Sequence, residues 1–299
     1  MSAVVGVGIA TVDYLCVVER LPELDRKTTI ESFSIQGGGP VATALVTLQR
    51  LGVSTALVAR VGDDTLGQFI VADLQREGVN TSDLVLQQGV DSSFSFIMIE
   101  RGTGKRSVAH YDPGERTLSP DSVPVEQVQA ATILHIDGHE ADAQVRAATL
   151  ARERGVTVIY DGGSVRPRCG DLCALADYLI SSEHFPVEFT GIRRLPRAME
   201  KLLEYGPKAV VATLGARGCR VATREGGWEL PPAPVGPIVD TTGAGDVFHG
   251  AFMYGLLHQW DLRRICDFAN ITAGLKCRHL GGRDGIPTMS DIERVMLHR

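Results

Sequence analysis

The sequence predicts an α/β fold, a three-layer αβα sandwich with a mostly parallel central sheet and a small β-sheet lid. Three features of the 299-residue chain carry this expectation. From Asp121 onward, short apolar runs alternate with helix-length stretches, the order of a parallel sheet covered by helices on both faces. Two strand-rich regions, about 13–36 and 92–112, stand outside that alternation and predict the lid. Near the C-terminus, D-T-T-G-A-G-D-V-F-H-G (240–250) sets a glycine turn directly before an apolar helix. No internal repeat, low-complexity tract or linker divides the chain, so 1–299 reads as a single domain with the lid inserted in it.

The elements follow in order. Ala3 to Ile9 is a short apolar run that reads as a buried strand. Its G-V-G lacks the third glycine and the partnering acid of a dinucleotide fingerprint. T-V-D-Y-L-C-V-V-E-R and K-T-T-I-E-S-F-S-I alternate as strands, and S-S-F-S-F-I-M-I-E, R-G-T-G-K, R-S-V-A-H reads as a hairpin. Pro40 starts a helix that runs to Leu51, with Gly52 in the position that ends it. A second helix covers about 65–77 and stops at Gly78. Strands are expected at 131–136, 156–160, 178–181, 209–214 and 219–222, with a helix over 141–154. Two long helices, about 244–259 and 261–278, close the chain.

Composition narrows the function. A hydrophobic fraction of 44% fills a sizeable core, and a net charge of −6 argues against a nucleic-acid partner, which needs a basic surface. No uncharged run reaches the roughly 18 residues of a membrane span, and the N-terminus lacks the features of a signal peptide. The six cysteines are scattered without a C-x-x-C pair, as expected of free thiols in a cytoplasmic protein. H-I-D-G-H-E (135–140) offers His135, Asp137, His139 and Glu140 as metal ligands, or Asp137 as a sugar contact at a strand end.

The glycine turn is the most informative segment. Gly243, Ala244 and Gly245 carry almost no side chain, so their N–H groups can face an anion together at a helix N-terminus. Asp246 sits in the same turn, where a carboxylate suits the removal of a proton from a hydroxyl while the amides hold a phosphate. Asp13, beyond the first strand, is placed to accept hydrogen bonds from neighbouring hydroxyls.

D-T-T-G-A-G-D-x-F-x-G resembles the C-terminal signature of the ribokinase-like (PfkB) sugar kinases. The resemblance implies that Asp246 is the catalytic base and that the G-A-G backbone holds the transferred phosphoryl group. It implies sugar binding by Asp13 and by Gly38 and Gly39, with Thr43 standing where many members have asparagine. T-L-G-A-R-G (213–218) resembles the family's nucleotide loop, which assigns Thr213, Gly215 and Gly218 to ATP, with Asn270 beside adenine. The stretch around Asp240 and Thr242, with the loop in 276–287, implies a monovalent-cation site for K⁺. The family's N-x-x-E is replaced by Ser182 and Phe185, so Mg²⁺ is expected to be held mainly by ATP and water. G-G-G-P-x-A-T-A and the closing G-G-R-x-G-I-P look nearest to the sulfofructose kinase branch, which implies a ketose or ketose-derivative substrate. Lys27, in the lid, and Arg106 are candidates to read an anionic group; Arg283 is open to a reading as a surface charge. Two alternatives stay open: a nucleoside kinase of the same fold, using Phe94, Phe96 and Tyr111, and a non-catalytic sugar-binding regulator. Exposed strand edges on the lid point to a homodimer formed through it.

Overall fold

The computed structural model of the chain describes residues 2–114 and 117–297. The chain opens with β1 (Val4–Val7), β2 (Thr11–Val18) and β3 (Ile30–Gly38), then enters α1 (Pro40–Arg50). Next come β4 (Thr55–Gly62), α2 (Thr65–Arg76), β5 (Leu84–Gln87), β6 (Phe94–Glu100) and β7 (Arg106–Tyr111). The βα alternation follows with α3 (Val125–Ala130), β8 (Ile133–Ile136), α4 (Ala141–Glu153) and β9 (Thr157–Gly162). It continues through α5 (Cys169–Leu175), β10 (Tyr178–Ser182), α6 (His184–Thr190), α7 (Leu195–Leu203) and β11 (Ala209–Thr213). A hairpin of β12 (Cys219–Thr223) and β13 (Gly226–Leu230) precedes α8 (Ala244–Leu257), α9 (Leu262–Lys276) and α10 (Met289–Met296).

Nine strands form one sheet in the order β13-β12-β11-β10-β9-β8-β1-β4-β5. It is parallel from β11 to β5, and the β12–β13 hairpin closes its edge antiparallel. Successive strand residues face opposite sides. Val4, Leu57 and Ile133 therefore join one core with α1, α8 and α9, while Val5, Val58 and Leu134 join another with α4 and α7. This is the expected three-layer α/β architecture. The chain leaves β1 toward β4 on one side and later fills β8 on the other, so the strand order reverses beside β1. Crevices at the carboxyl ends of strands beside such a reversal are where open α/β sheets bind ligands.

The other four strands form a small sheet in the order β3-β2-β6-β7. It is mixed: the two outer pairs are antiparallel and the central pair, β2 with β6, is parallel. Leu15, Ile97 and Ile99 make its buried face against Leu280. Its register puts Asp13 opposite Ser95 and Gln36, and Ser95 opposite His110, so these polar groups share that inward face.

The helix ends agree with the sequence signals. Pro40 occupies the first turn of α1, and Gly52 and Gly78 follow their helices at φ 84° and 82°. The sequence pattern did not announce β4. Its residues are nearly all buried, so it lacks the alternation of a half-buried strand, and Arg60 interrupts its apolar run. That arginine is an internal ion, 3.9 Å from the Glu140 carboxylate.

Candidate active site

The glycine turn does open a helix. Gly243 caps α8 at φ 72°, and a Cβ there would lie 2.7 Å from the Gly282 backbone, so conformation and space both require glycine. Farther along, a Cβ on Gly250 would lie 2.6 Å from the Ala44 carbonyl of α1. That close approach of α8 to α1 fixes where the turn sits. The Val247 N–H is bonded back to the Gly243 carbonyl at 2.9 Å, while the Gly245 and Asp246 N–H groups belong to the first turn and have no helical acceptor. The Ala244 N–H closes a turn on the Thr241 carbonyl at 3.2 Å, so the donors left to an anion differ from the expected G-A-G trio by the inclusion of Asp246 itself. A Cβ built on Gly245 meets nothing within 4 Å, which leaves open space over the positive end of α8. Burial raises the Asp246 carboxyl above the usual carboxylate range, against the charges of His249, Arg106, Lys276 and Arg283.

Asp13 comes from the small sheet to the same place. It is 7% exposed, accepts a hydrogen bond from the Thr11 hydroxyl at 3.1 Å, and is pushed up to about 6 by burial. Asp246 adds to that rise and Arg283 opposes it, so the two carboxyls lie within electrostatic reach of each other. A Cβ on Gly38 would collide with the Asp13 carboxylate, and one on Gly39, at φ 94°, with the Ile9 carbonyl. Both glycines thus let the backbone pass close to Asp13.

Arg283 is not a surface charge. It is 3% exposed, pairs with Asp73, donates to the Gly38 carbonyl at 2.8 Å and reaches the Thr43 hydroxyl at 3.4 Å. Arg283 therefore ties Gly38 to α1 and α2 beneath the site, and Thr43 faces it. Lys27 is exposed in the segment between β2 and β3.

Asp137 follows β8 at the reversal of strand order. One carboxylate oxygen accepts from the Ile9 N–H at 3.0 Å, and the other from the His139 N–H at 3.0 Å and Gln144 Nε2 at 2.8 Å. Gln144 also donates to the Val7 carbonyl at 2.8 Å. Asp137 thus stitches the loops after β1 and β8 together. The metal reading of 135–140 is not supported: no group of three His, Cys, Asp or Glu side chains suited to a metal occurs among the described residues. His135 is fully buried and pushed down to about 3, and Glu140 accepts from the Leu118 N–H at 2.6 Å.

Arg106 and His139 were singled out separately in the sequence, but their gathering with His110 and Arg166 beside Asp13 was not. His110 Nδ1 lies 3.2 Å from the Ser95 hydroxyl, and the His110 and His139 rings are 6.3 Å apart. His139 Nδ1 is buried with no hydrogen-bond partner, and the Arg166 charge helps hold both histidines below their usual range after burial itself. On β7, Arg106 donates to the Thr241 hydroxyl at 2.6 Å and so joins the small sheet to the α8 turn. The members come from β7, the loop after β8 and the loop after β9, too far apart in sequence for any spacing to reveal. The aromatics Phe94, Phe96 and Tyr14 occupy the opposite face of the small sheet, Tyr14 stacked on Phe96 and Phe94 edge-on to both, and so offer no platform for a base beside Asp13.

On the other side of α8, Thr213 ends β11 and donates to the Ser181 carbonyl at 3.2 Å. Gly215 and Gly218 bound a single tight turn at φ 58° and 87°. Asn270, in α9, donates to the Pro231 carbonyl at 3.4 Å, and a Cβ on Gly218 would also crowd Pro231. These residues therefore border one edge of the sheet. Phe185 is fully buried and stacked on Phe189, and Glu183 pairs with Arg217 at 2.5 Å. An open cavity of about 750 Å³, lined by Ser2, Ser54, Asn80 and Pro124, lies at the opposite ends of the strands and holds none of these groups.

Asp240 and Thr242, the residues expected around a monovalent cation, form a buried knot. One Asp240 carboxylate oxygen accepts from the Thr242 N–H at 2.8 Å and its hydroxyl at 2.7 Å; the other accepts from the Gly281 N–H at 2.8 Å. Their main-chain carbonyls both accept hydrogen bonds from the Lys276 ammonium.

Known proteins resemble this chain in sequence and in fold. The chain is 28% identical over its full length, and over 99% of the relative, to an ATP-dependent ribose-1-phosphate kinase of Halopiger xanaduensis. It is 26% identical to the ribokinase of Bacillus subtilis, over 99% of this chain and all of that one. The solved ribokinase of Thermotoga maritima superposes with a TM-score of 0.86 at 22% identity, over 99% of this chain and all of that one, a likeness of fold. Residues 1–289 match the model of the pfkB family carbohydrate kinases, and with the carboxylate, the helix N-terminus and the two sheets in place the chain belongs to that family.

Proposed function

We propose that this carbohydrate kinase transfers the γ-phosphoryl group of ATP to a hydroxyl of a small sugar that carries an anionic group, a ketose phosphate or pentose phosphate. The observation that carries the reading is the convergence of Asp13 and Asp246 on the open N-terminus of α8. Asp13, backed by Gly38 and Gly39, accepts hydrogen bonds from sugar hydroxyls. Asp246 takes the proton of the attacking hydroxyl; its raised pKa brings its basicity closer to what such transfer needs at neutral pH. The first-turn N–H groups and the α8 dipole take up charge on the transferred group. Thr213, Gly215, Gly218 and Asn270 border the nucleotide. Mg²⁺, when bound with ATP, would supply charge neutralisation on the phosphates. Thr43 and Asp137 serve the sugar indirectly, Thr43 beside Arg283 and Asp137 through the loop at Ile9. Lys27 adds an exposed positive charge from the segment between β2 and β3.

The anionic substituent is supported by the charges of Arg166 and Arg106 near Asp13, with His110 and His139 beside them as neutral rings able to donate hydrogen bonds, and by the activity named for the Halopiger relative. The small sheet acts as a lid whose closure excludes water. Its outer face exposes Phe33 and Phe96 at 54% and 48%, and we assign this face to a second copy of the chain. Six unpaired cysteines suit a cytoplasmic setting.

The experiment is initial-rate ADP release with ATP and Mg²⁺ over ketoses, aldoses, nucleosides and the 1- and 6-phosphates of the sugars. A sugar phosphate is expected to give the highest kcat/KM, and Arg166→Ala to lower that value by about 10-fold or more, as loss of a charge-assisted contact does. An uncharged sugar or a nucleoside as best acceptor, unaffected by Arg166→Ala, contradicts the anionic reading.

A further inference from the structure

Lys276 opens the 276–287 stretch but was given no role in the sequence, and it is the most deeply placed cation beside the active-site turn. It is fully buried in the last turn of α9. Its ammonium donates to the main-chain carbonyls of Asp240, at 3.0 Å, and of Thr242. Those are the carbonyls around which a monovalent cation was expected. A potassium ion and this ammonium each carry one positive charge, and the ammonium offers three donors where the ion offers an isotropic field. The two cannot occupy the same carbonyl pair, so the residues present do not fit a separate cation there.

We infer that the Lys276 ammonium stands permanently in the place of a monovalent cation and makes the phosphoryl-transfer turn independent of potassium. The geometry says why the turn needs a cation at all. Thr242 C=O and Gly243 N–H belong to one peptide unit, and in a trans peptide they point in opposite directions. Among the described residues there is no cis peptide bond. A positive charge that draws the Thr242 carbonyl inward therefore turns the Gly243 N–H outward, toward the start of α8. The same charge lies within electrostatic reach of Asp246 and favours its ionised form. The Asp240 carboxylate sits in the same knot, held by Thr242 and Gly281, and balances the buried charge. A dissolved ion would impose a binding equilibrium on this turn, whereas a side chain fixed to α9 does not. Lys276 is thus a positioning residue, acting through the backbone of 240–243.

The inference rests on the role proposed for the α8 turn, and the test reads the two separately. Turnover and thermal midpoint of the wild type are measured at constant ionic strength in potassium, sodium and tetramethylammonium chloride. The same kcat and midpoint are expected in all three. Lys276→Met is then expected to lose about 100-fold in kcat, on the scale of a lost oxyanion donor, with a much smaller change in the sugar KM. Potassium or ethylammonium should restore part of that loss and raise the variant's thermal midpoint, as a ligand of the folded state does. The midpoint is read without any acceptor, so it tests the cation site even where the acceptor assignment fails. A wild type that needs potassium overturns the inference, and so does a folded Lys276→Met whose rate and midpoint ignore every cation. Should the variant not fold, the wild-type salt series decides alone.

Discussion

Asp13 shows how function is purchased at a single residue. Its carboxyl titrates at about 6 in the folded protein because burial opposes its charge, against an ordinary value of about 3.9 in the unfolded chain. The folded state thus binds this proton more tightly. The associated stability is fully present below the unfolded value and is lost as pH rises through about 6. An ionised Asp13 therefore costs stability at neutral pH, on the order of 3 kcal/mol. Asp13→Asn is predicted to stabilise the protein in urea denaturation at pH 8 and not at pH 4, while raising the sugar KM sharply. An equal effect at both pH values would remove the titration from the explanation. In the wild type, KM for sugar should climb as pH falls below 6, as Asp13 loses its charge. At this scale the sequence was legible where a motif compresses candidates into neighbours: Gly243, Ala244, Gly245 and Asp246 are consecutive in one turn. It was opaque for Lys276 and Arg283. Each looks like an ordinary cation near a helix end, and only packing shows that one meets the carbonyls of Asp240 and Thr242 and the other meets Asp73 and Gly38.

The elements were legible in proportion to their periodicity and their punctuation. α1 and α2 were bounded by Pro40, Gly52 and Gly78, and the β6–β7 hairpin by its glycine turn. The strand β4 is buried on both faces and so lacks alternation, and α5 and α6 span only seven residues each, too short for a periodic pattern even though Gly191 ends α6. The small sheet was legible as strands, but its central parallel pairing was not, because β2 and β6 are far apart in sequence. That pairing has a consequence. It aligns Tyr14 with Phe96 on the outer face and Asp13 with Ser95 on the inner one, so one sheet presents a polar face inward and an aromatic face outward. Phe33→Glu with Phe96→Glu is predicted to convert a dimer into a monomer in sedimentation velocity without unfolding it. A wild type that sediments as a monomer at micromolar concentration contradicts the dimer.

At the scale of the whole molecule, the site is where three separately folded features meet. The large sheet reverses its strand order beside β1, the small sheet delivers Asp13, and α8 delivers its N-terminus with Asp246. The packing of α8 on α1 and the Arg106 link to Thr241 hold the three in register. Phosphoryl transfer asks for little covalent chemistry from a protein and much positioning, so an architecture that fixes a base and an anion site across one crevice suits the reaction. The central claim is that Asp246 is the base at that crevice. The most direct measurement compares wild type and Asp246→Asn on the best acceptor, with single-turnover phosphoryl transfer and ATP binding by calorimetry measured side by side. The account predicts unchanged ATP affinity and a rate lowered by about 10³-fold or more, the scale of a lost general base. A variant that binds ATP and transfers phosphate at near the wild-type rate would contradict it.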